Sequence, residues 1–471
     1  MVPHLSRFFA ASSLVKEENK LGDFPSSKEA YGSLARIALP SVLEMVLISL
    51  IGSVDSIMVG SLGPEALAAV GLTDQPRMLL MSVFFALNVG VTAIVARRKG
   101  QGDRADANRT LRNALVILLG LGLVMACVGV AFARQLMRIS GAQADTIDMA
   151  SQYFRIVAMA VPINAATMCI SAAQRGVGNT RITLAVNLSA NLVNVVFNYI
   201  LIYGKFGFPR LTVTGAAIAT DIGFVVGLAL AMYSVIGHRM QDSFLQLHPQ
   251  DDWRLKRDTV RNLVKLGGNA MLEQIAARVG FMAYAVIVAN LGTLAFAAHQ
   301  ACMKFMNITF TLGDGIGVAG TSLVGQMLGR KRPDLAQMYG KISQRIAMCV
   351  SLALFGFIIG FRRPLVGLFS SDPTVLLMAA DVMIVVAMIQ PFQTTAVVIS
   401  GCLRGAGDTR YVALIMYLCV VGIRPVLSFI AVYVLDIGLI GAWLSTLVDM
   451  SIRMTLMYLR FNNGKWFAIK V

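Results

Sequence analysis

QRGVGNTR, residues 174–181, returns as LRGAGDTR at residues 403–410, an offset of 229 positions. The same offset carries LGPEALAAV (62–70) onto LGTLAFAAH (291–299), Leu43-Glu44 onto Leu272-Glu273, Pro162 onto Pro391 and Gly100 onto Gly329. Five correspondences at one spacing mark an internal duplication. Each copy is built from apolar runs of about 20 residues, the length that crosses a bilayer as a helix. Twelve such runs are read, at 34–58, 74–96, 111–133, 150–171, 182–203, 215–236, 262–289, 296–325, 342–361, 375–400, 411–434 and 438–458. Short alternating segments, the mark of a membrane barrel, are missing from the pattern.

Six crossings return the chain to its starting side, so the two copies are parallel repeats. The expected fold is an all-α membrane protein with twelve transmembrane helices in two pseudo-twofold-related six-helix bundles. Residues 1–33 read as a cytoplasmic N-terminal tail, 34–236 as the N-terminal lobe, 237–261 as a charged cytoplasmic linker, 262–460 as the C-terminal lobe and 461–471 as a cytoplasmic C-terminal tail. Parallel repeats fused in one chain suit alternating access by rocking of one lobe against the other.

Composition agrees: 56% of the 471 residues are hydrophobic and 14% charged, and the mean hydropathy is +0.70. A soluble core cannot hold that much apolar surface. The net charge of +16 does not argue for nucleic acid, because polytopic proteins gather Lys and Arg on cytoplasmic loops. Of the 41 such residues, 29 fall on the side of both termini and seven on the other, which places both termini in the cytoplasm. The remaining five, Arg155, Arg278, Lys304, Arg424 and Arg453, fall within or beside the spans.

The six cysteines lie in apolar segments without CxxC spacing, which supports neither a disulfide framework nor a zinc site. GIGVAG (315–320) fits a dinucleotide-binding pattern but lies inside a span, so it reads as close helix packing. No Walker, HExxH or GxSxG motif occurs, which leaves no support for an ATP-driven pump or a hydrolase. A secondary transporter without a cofactor is the expectation.

Acidic groups inside spans cost about 2.5–3.5 kcal/mol on insertion scales and are usually functional. Glu44 and Asp55 are eleven residues apart on the first span, three turns plus about 20°, so they share one helix face. Glu273 stands at the repeat position of Glu44. Asn194 and Asn198 share a face of the fifth span at i,i+4. Arg424-Pro425 lies mid-span, and this buried Arg is expected to pair with Glu273 or another carboxylate; Arg278 is a second candidate partner for Glu273. Pro40, Pro162 and Pro391 are candidate bends. Most of the 26 Met and 24 Phe residues read as packing or lipid-facing.

VDSIMVGSLGPEALAAVG, ALNVGVTAIVARRKGQGD, QRGVGNTR, NVVFNYILIYG, LGTLAFAAHQ, TSLVGQMLGRKRPDLA and LRGAGDTR together resemble the multidrug and toxic compound extrusion (MATE) family, on its NorM-type bacterial branch. The resemblance runs from about residue 34 to 461 in both halves. It implies a V-shaped pair of bundles in the bacterial inner membrane that exports cationic or amphipathic organic compounds in exchange for H+ or Na+. By motif position it implies Asp55 as the coupling acid, with Asn194, Asn198 and Thr220 completing the cluster and Asp55, Asn194 and Asn198 able to hold Na+. Some members carry an aspartate at the place of Asn198. Glu273 matches the family's glutamate in the seventh span, and Gln393 stands where NorM-type members carry a partner acid. Glu273, Glu44 and Gln393 are therefore candidates for the substrate cavity, and Pro40, Arg278, Arg424 and Pro425 for structure or gating. The alternative is a lipid-linked oligosaccharide flippase of a related family, and an intramembrane enzyme or a passive channel has less support. A monomer is expected, since the repeat already supplies two lobes.

Overall fold

A computed structural model describes residues 24–236, 243–248, 250–367 and 372–469. Residues 1–23, most of the expected N-terminal tail, and 237–242 of the linker lie outside them. The chain forms α1 (Ser27–Gly60), α2 (Pro64–Gln101), α3 (Arg104–Ala131), α4 (Ala133–Ile139), α5 (Ile147–Met159), α6 (Val161–Val177), α7 (Thr180–Tyr203) and α8 (Thr212–Ile236) in its first half. The second half forms α9 (Arg257–Ala289), α10 (Thr293–Gly329), α11 (Pro333–Gly367), α12 (Pro373–Gly405), α13 (Thr409–Val434) and α14 (Gly438–Asn462). Among the described residues ten helices are long and apolar enough to cross a membrane, and the α5–α6 pair, bent by 49°, makes an eleventh span. The twelfth is α10, whose Asp314 and many glycines dilute its apolarity.

Several boundaries differ from the sequence reading. The first helix begins at Ser27 rather than residue 34, because Ser26 and Glu29 close a capping box, with Ser26 N–H donating to Glu29 Oε2 at 2.9 Å and Glu29 N–H to Ser26 Oγ at 3.3 Å. The fourth span breaks at Ala160, two residues before Pro162. Its repeat partner Pro391 lies inside the unbroken helix α12, as Pro40 lies inside α1, so neither interrupts its helix. In α13, π-helical turns at Tyr417–Ile423 and Ile430–Val434 flank Arg424-Pro425. The C-terminal stretch is docked rather than free: Trp466 is fully buried, stacks on Phe461 at 5.0 Å and donates from Nε1 to Phe461 O at 2.7 Å. The linker also packs down, burying Leu245 and Leu247 under the first lobe.

The duplication is visible in the backbone. The two RGxGxTR turns hold Gly178 at φ +88° and Gly407 at φ +89°, the left-handed region that favours glycine. The lobes touch where the repeat-equivalent Gly100 and Gly329 cross. A Cβ on Gly100 would lie 1.9 Å from Gln326 O and 2.9 Å from Gly329 Cα, and one on Gly329 would lie 2.1 Å from Arg97 O. Beside this crossing Gln326 Nε2 and Ser322 Oγ both donate to Gly176 O, at 3.0 and 3.1 Å. Arg97 Nη1 donates to Ile469 O at 2.7 Å, so the end where α1 begins and the last described residues lie is sealed. GIGVAG packs as expected: a Cβ on Gly315 would meet Val42 at 2.7 Å, and one on Gly320 would meet Cys402 Sγ at 2.7 Å.

Candidate functional site

Helices α1 and α7 run side by side in a constant register, because their polar residues repeat at the same interval. Glu44 pairs with Asn187 and Asp55 with Asn198, both at an offset of 143 residues. At the first station Glu44 accepts from Asn187 Nδ2 at 2.6 Å and Thr183 Oγ1 at 2.8 Å, with Arg175 at 3.6 Å. At the second, Asp55 accepts from Asn198 Nδ2 at 2.7 Å. Orienting the Asn194 amide by its hydrogen-bond network lets its nitrogen donate to both Asp55 oxygens, at 3.0 and 2.9 Å, while its oxygen accepts from Thr220 N–H and Oγ1 at 3.1 and 3.3 Å. Asn198 Oδ1 is buried and without a protein partner among the described residues. The expected quartet of Asp55, Asn194, Asn198 and Thr220 is therefore one cluster.

That cluster lines a cavity of about 710 Å³ inside the first lobe. Its wall includes a stripe of amides on α7, Asn187, Asn191, Asn194 and Asn198, together with Asp74, Arg77, Tyr153, Phe85, Phe224, Met78 and Met81. Asp74 and Arg77 pair at 3.2 Å. Two carboxylates against one guanidinium give the wall a net negative charge. The stripe could have been read from the spacing 187, 191, 194, 198, which keeps one helical face.

The other candidates are placed differently. Glu273 does not meet Arg278, Arg424 or Gln393. Five residues separate Glu273 from Arg278, which turns Arg278 about 140° around α9, and Arg278 is exposed. Glu273 instead pairs with Arg404 of the repeated turn at 2.7 Å. Arg404 and Glu273 are the repeat equivalents of Arg175 and Glu44, so the duplication has copied an ion pair. Asp314 of α10 lies in the field of Arg404, Arg175 and Glu273. Gln393 is buried and donates to Met306 O at 3.4 Å, and neither it, Glu44 nor Glu273 forms part of the cavity wall, although Glu44 reaches that wall through Asn187. Arg424 pairs with Asp449, its Nε and Nη2 at 2.8 and 2.5 Å, and Arg453 shares that carboxylate at 2.8 Å. Sequence reading missed Asp449, Arg175 and Arg404; the last two were findable, since their offset of 229 matches that of the two glutamates.

The copied pair makes a quantitative prediction. Glu273 is almost wholly buried, and removing one partner of such a pair costs about 3–5 kcal/mol. Arg404→Gln should therefore lower stability by about that much. In a thermal-unfolding double-mutant cycle, adding Glu273→Gln should restore part of the loss; strictly additive effects would deny the coupling.

Comparison with known proteins covers both halves. The MatE family model matches residues 40–200 and 270–430. The chain is 27% identical over 435 residues to the probable multidrug resistance protein NorM of Thermotoga maritima, covering 92% of each. It is 28% identical to the multidrug resistance protein PmpM of Pseudomonas aeruginosa, covering 82% of this chain and 80% of that one. Its fold matches a MOP superfamily transporter from Pyrococcus furiosus with a TM-score of 0.86 at 20% identity, covering 94% of this chain and 97% of that one. A multidrug resistance MATE family transporter in an outward-facing conformation gives 0.85 at 21%, covering 93% and 97%. Matched through both of its repeats, the chain belongs to the MatE family of multi-pass membrane transporters, on its NorM-like branch.

Proposed function

We propose that this protein is a secondary active multidrug exporter of the bacterial inner membrane that exchanges cationic or amphipathic organic compounds for H+ or Na+. The observation that carries the reading is Asp55: a carboxylate in a bilayer-spanning helix, opening on a cavity of about 710 Å³ with a net negative, partly aromatic wall. Aromatic faces and thioethers accept varied flat cations with little directional demand. The relatives named multidrug resistance proteins support the same reading. A flippase for an anionic lipid-linked sugar would want a cationic wall, which this cavity does not have.

Asp55 suits either coupling ion. As a carboxylate it accepts three amide N–H bonds; protonation removes part of that acceptor capacity and weakens the grip of α7 on α1. The orphaned Asn198 Oδ1 with the Asp55 oxygens gives Na+ the hard oxygen donors it prefers. Coupling then requires that the ion favour one lobe arrangement and the organic cation the other. With both termini cytoplasmic, the end sealed at Gly100 and Gly329 is the cytoplasmic one, so the lobes are posed outward.

The test uses purified protein in liposomes loaded with a fluorescent organic cation, with a proton gradient and a sodium gradient imposed separately. Dye movement driven by one gradient names the ion. No dye movement under either gradient would reject the exchanger.

A further inference from the structure

The second lobe carries, at the repeat position of the Asp55 cluster, a different constellation. Tyr284 stands where Asp55 stands, and Asp449 where Thr220 stands. Asp449 is fully buried and bound by two guanidiniums, Arg424 and Arg453, which are themselves more than nine-tenths buried. No other carboxylate among the described residues pairs with either arginine, so the network holds one positive charge too many. Arg424 rests on the rings of Phe281 and Tyr284, 5.1 and 5.8 Å from their centroids, which spreads that charge without cancelling it. A buried charge in a membrane span needs a counter-charge.

One turn along α14 from Asp449 comes Thr446, and one further turn brings Trp443, both on the helix's buried face. His299 bridges the rings of Tyr284 and Trp443, at 5.5 and 5.4 Å. The Tyr284 hydroxyl, Thr446 Oγ1, Trp443 Nε1 and His299 Nδ1 are all buried, and none has a hydrogen-bond partner among the described residues. The Tyr284 and Thr446 hydroxyls nonetheless interact with each other, which uses one hydroxyl proton and leaves the other to donate outward. Trp Nε1 can only donate, and both hydroxyls can donate. Whatever satisfies Trp443 Nε1 must accept, and one acceptor placed there can also take a hydroxyl proton.

We infer that the second lobe holds a small monovalent anion of the halide class, bound by Tyr284, Trp443 and Thr446 beside the Arg424–Asp449–Arg453 network. The anion supplies the missing negative charge and accepts the orphaned donors at once. It also makes the lobes chemically complementary: the first exchanges a cation at Asp55, and the second keeps a resident cationic network with its counter-ion.

Thermal unfolding of purified protein in detergent tests this, comparing sodium chloride, sodium bromide and sodium gluconate at equal ionic strength and pH. Chloride and bromide should raise the midpoint with saturation, and gluconate should not. Thr446→Val and Tyr284→Phe remove one donor each while keeping volume and the ion network; each should raise the half-saturating halide concentration by about tenfold. Crystals grown in bromide should show an anomalous peak beside Trp443. Equal midpoints in chloride and gluconate, or a halide effect untouched by both substitutions, would assign the donors to water and overturn the site; if the variants do not fold, the wild-type comparison alone decides.

Discussion

Asp55→Asn should sharply reduce exchange driven by the coupling gradient while leaving a folded protein. Asparagine keeps the shape of the side chain but can neither change charge with a proton nor offer Na+ an anionic ligand. Allosteric coupling between two ligands is typically worth about 1–3 kcal/mol, or about 5–150-fold in affinity. Losing it should cut gradient-driven accumulation of an organic cation in liposomes by a factor in that range. Passive equilibration of the dye can persist, which separates lost coupling from lost binding. Accumulation at the wild-type level in the variant would move the coupling group out of the first lobe, and the next carboxylates to substitute would be Asp314 and Glu273.

Gly100→Val and Gly329→Val should each stop turnover by opposing closure of the sealed end. The added Cβ alone would fall within 1.9 Å of Gln326 O in the first case and 2.1 Å of Arg97 O in the second. These are backbone atoms of the facing helix, so no side-chain rotation relieves the overlap. Overpacking of this kind costs at least about 1–3 kcal/mol, and the cost falls mainly on the arrangement in which the glycines touch. A cysteine placed at Ser322 should become reactive to a water-soluble thiol reagent added on the side of the sealed end in these variants and stay protected in the parent. Equal protection together with normal exchange would show that the crossing still closes and tolerates the added side chain.

The twelve spans and the duplication were legible in the sequence because both rest on local pattern: apolar length fixes a crossing, and a constant offset fixes a repeat. Asp55 and its amides were legible for the same reason, since positions eleven and four apart on a helix share a face. Partnerships between helices were not. Glu273 was expected to find Arg278 or Arg424 because those cations fall within spans, yet Arg278 points around the helix and Arg424 is held by Asp449. The cavity wall was illegible too, since α7 lies between α1 and α8 for reasons of packing that no single segment states. The broken fourth span and the docked Trp466 depended on side-chain environments that appear only once the bundles close.

The Gly100–Gly329 crossing also speaks to descent. A twofold dimer places some residue of one subunit against the same residue of the other, and these two glycines are the same position counted in two copies. A half-length ancestor pairing in parallel would have met itself at that point, so one substitution there would have been felt twice. Fusion separated the two genetic positions while leaving them in contact, and it freed the rest of each half to diverge. Tyr284 at the repeat position of Asp55, and Asp449 at that of Thr220, are what that freedom produced, while the glycine contact still constrains both copies to the smallest residue.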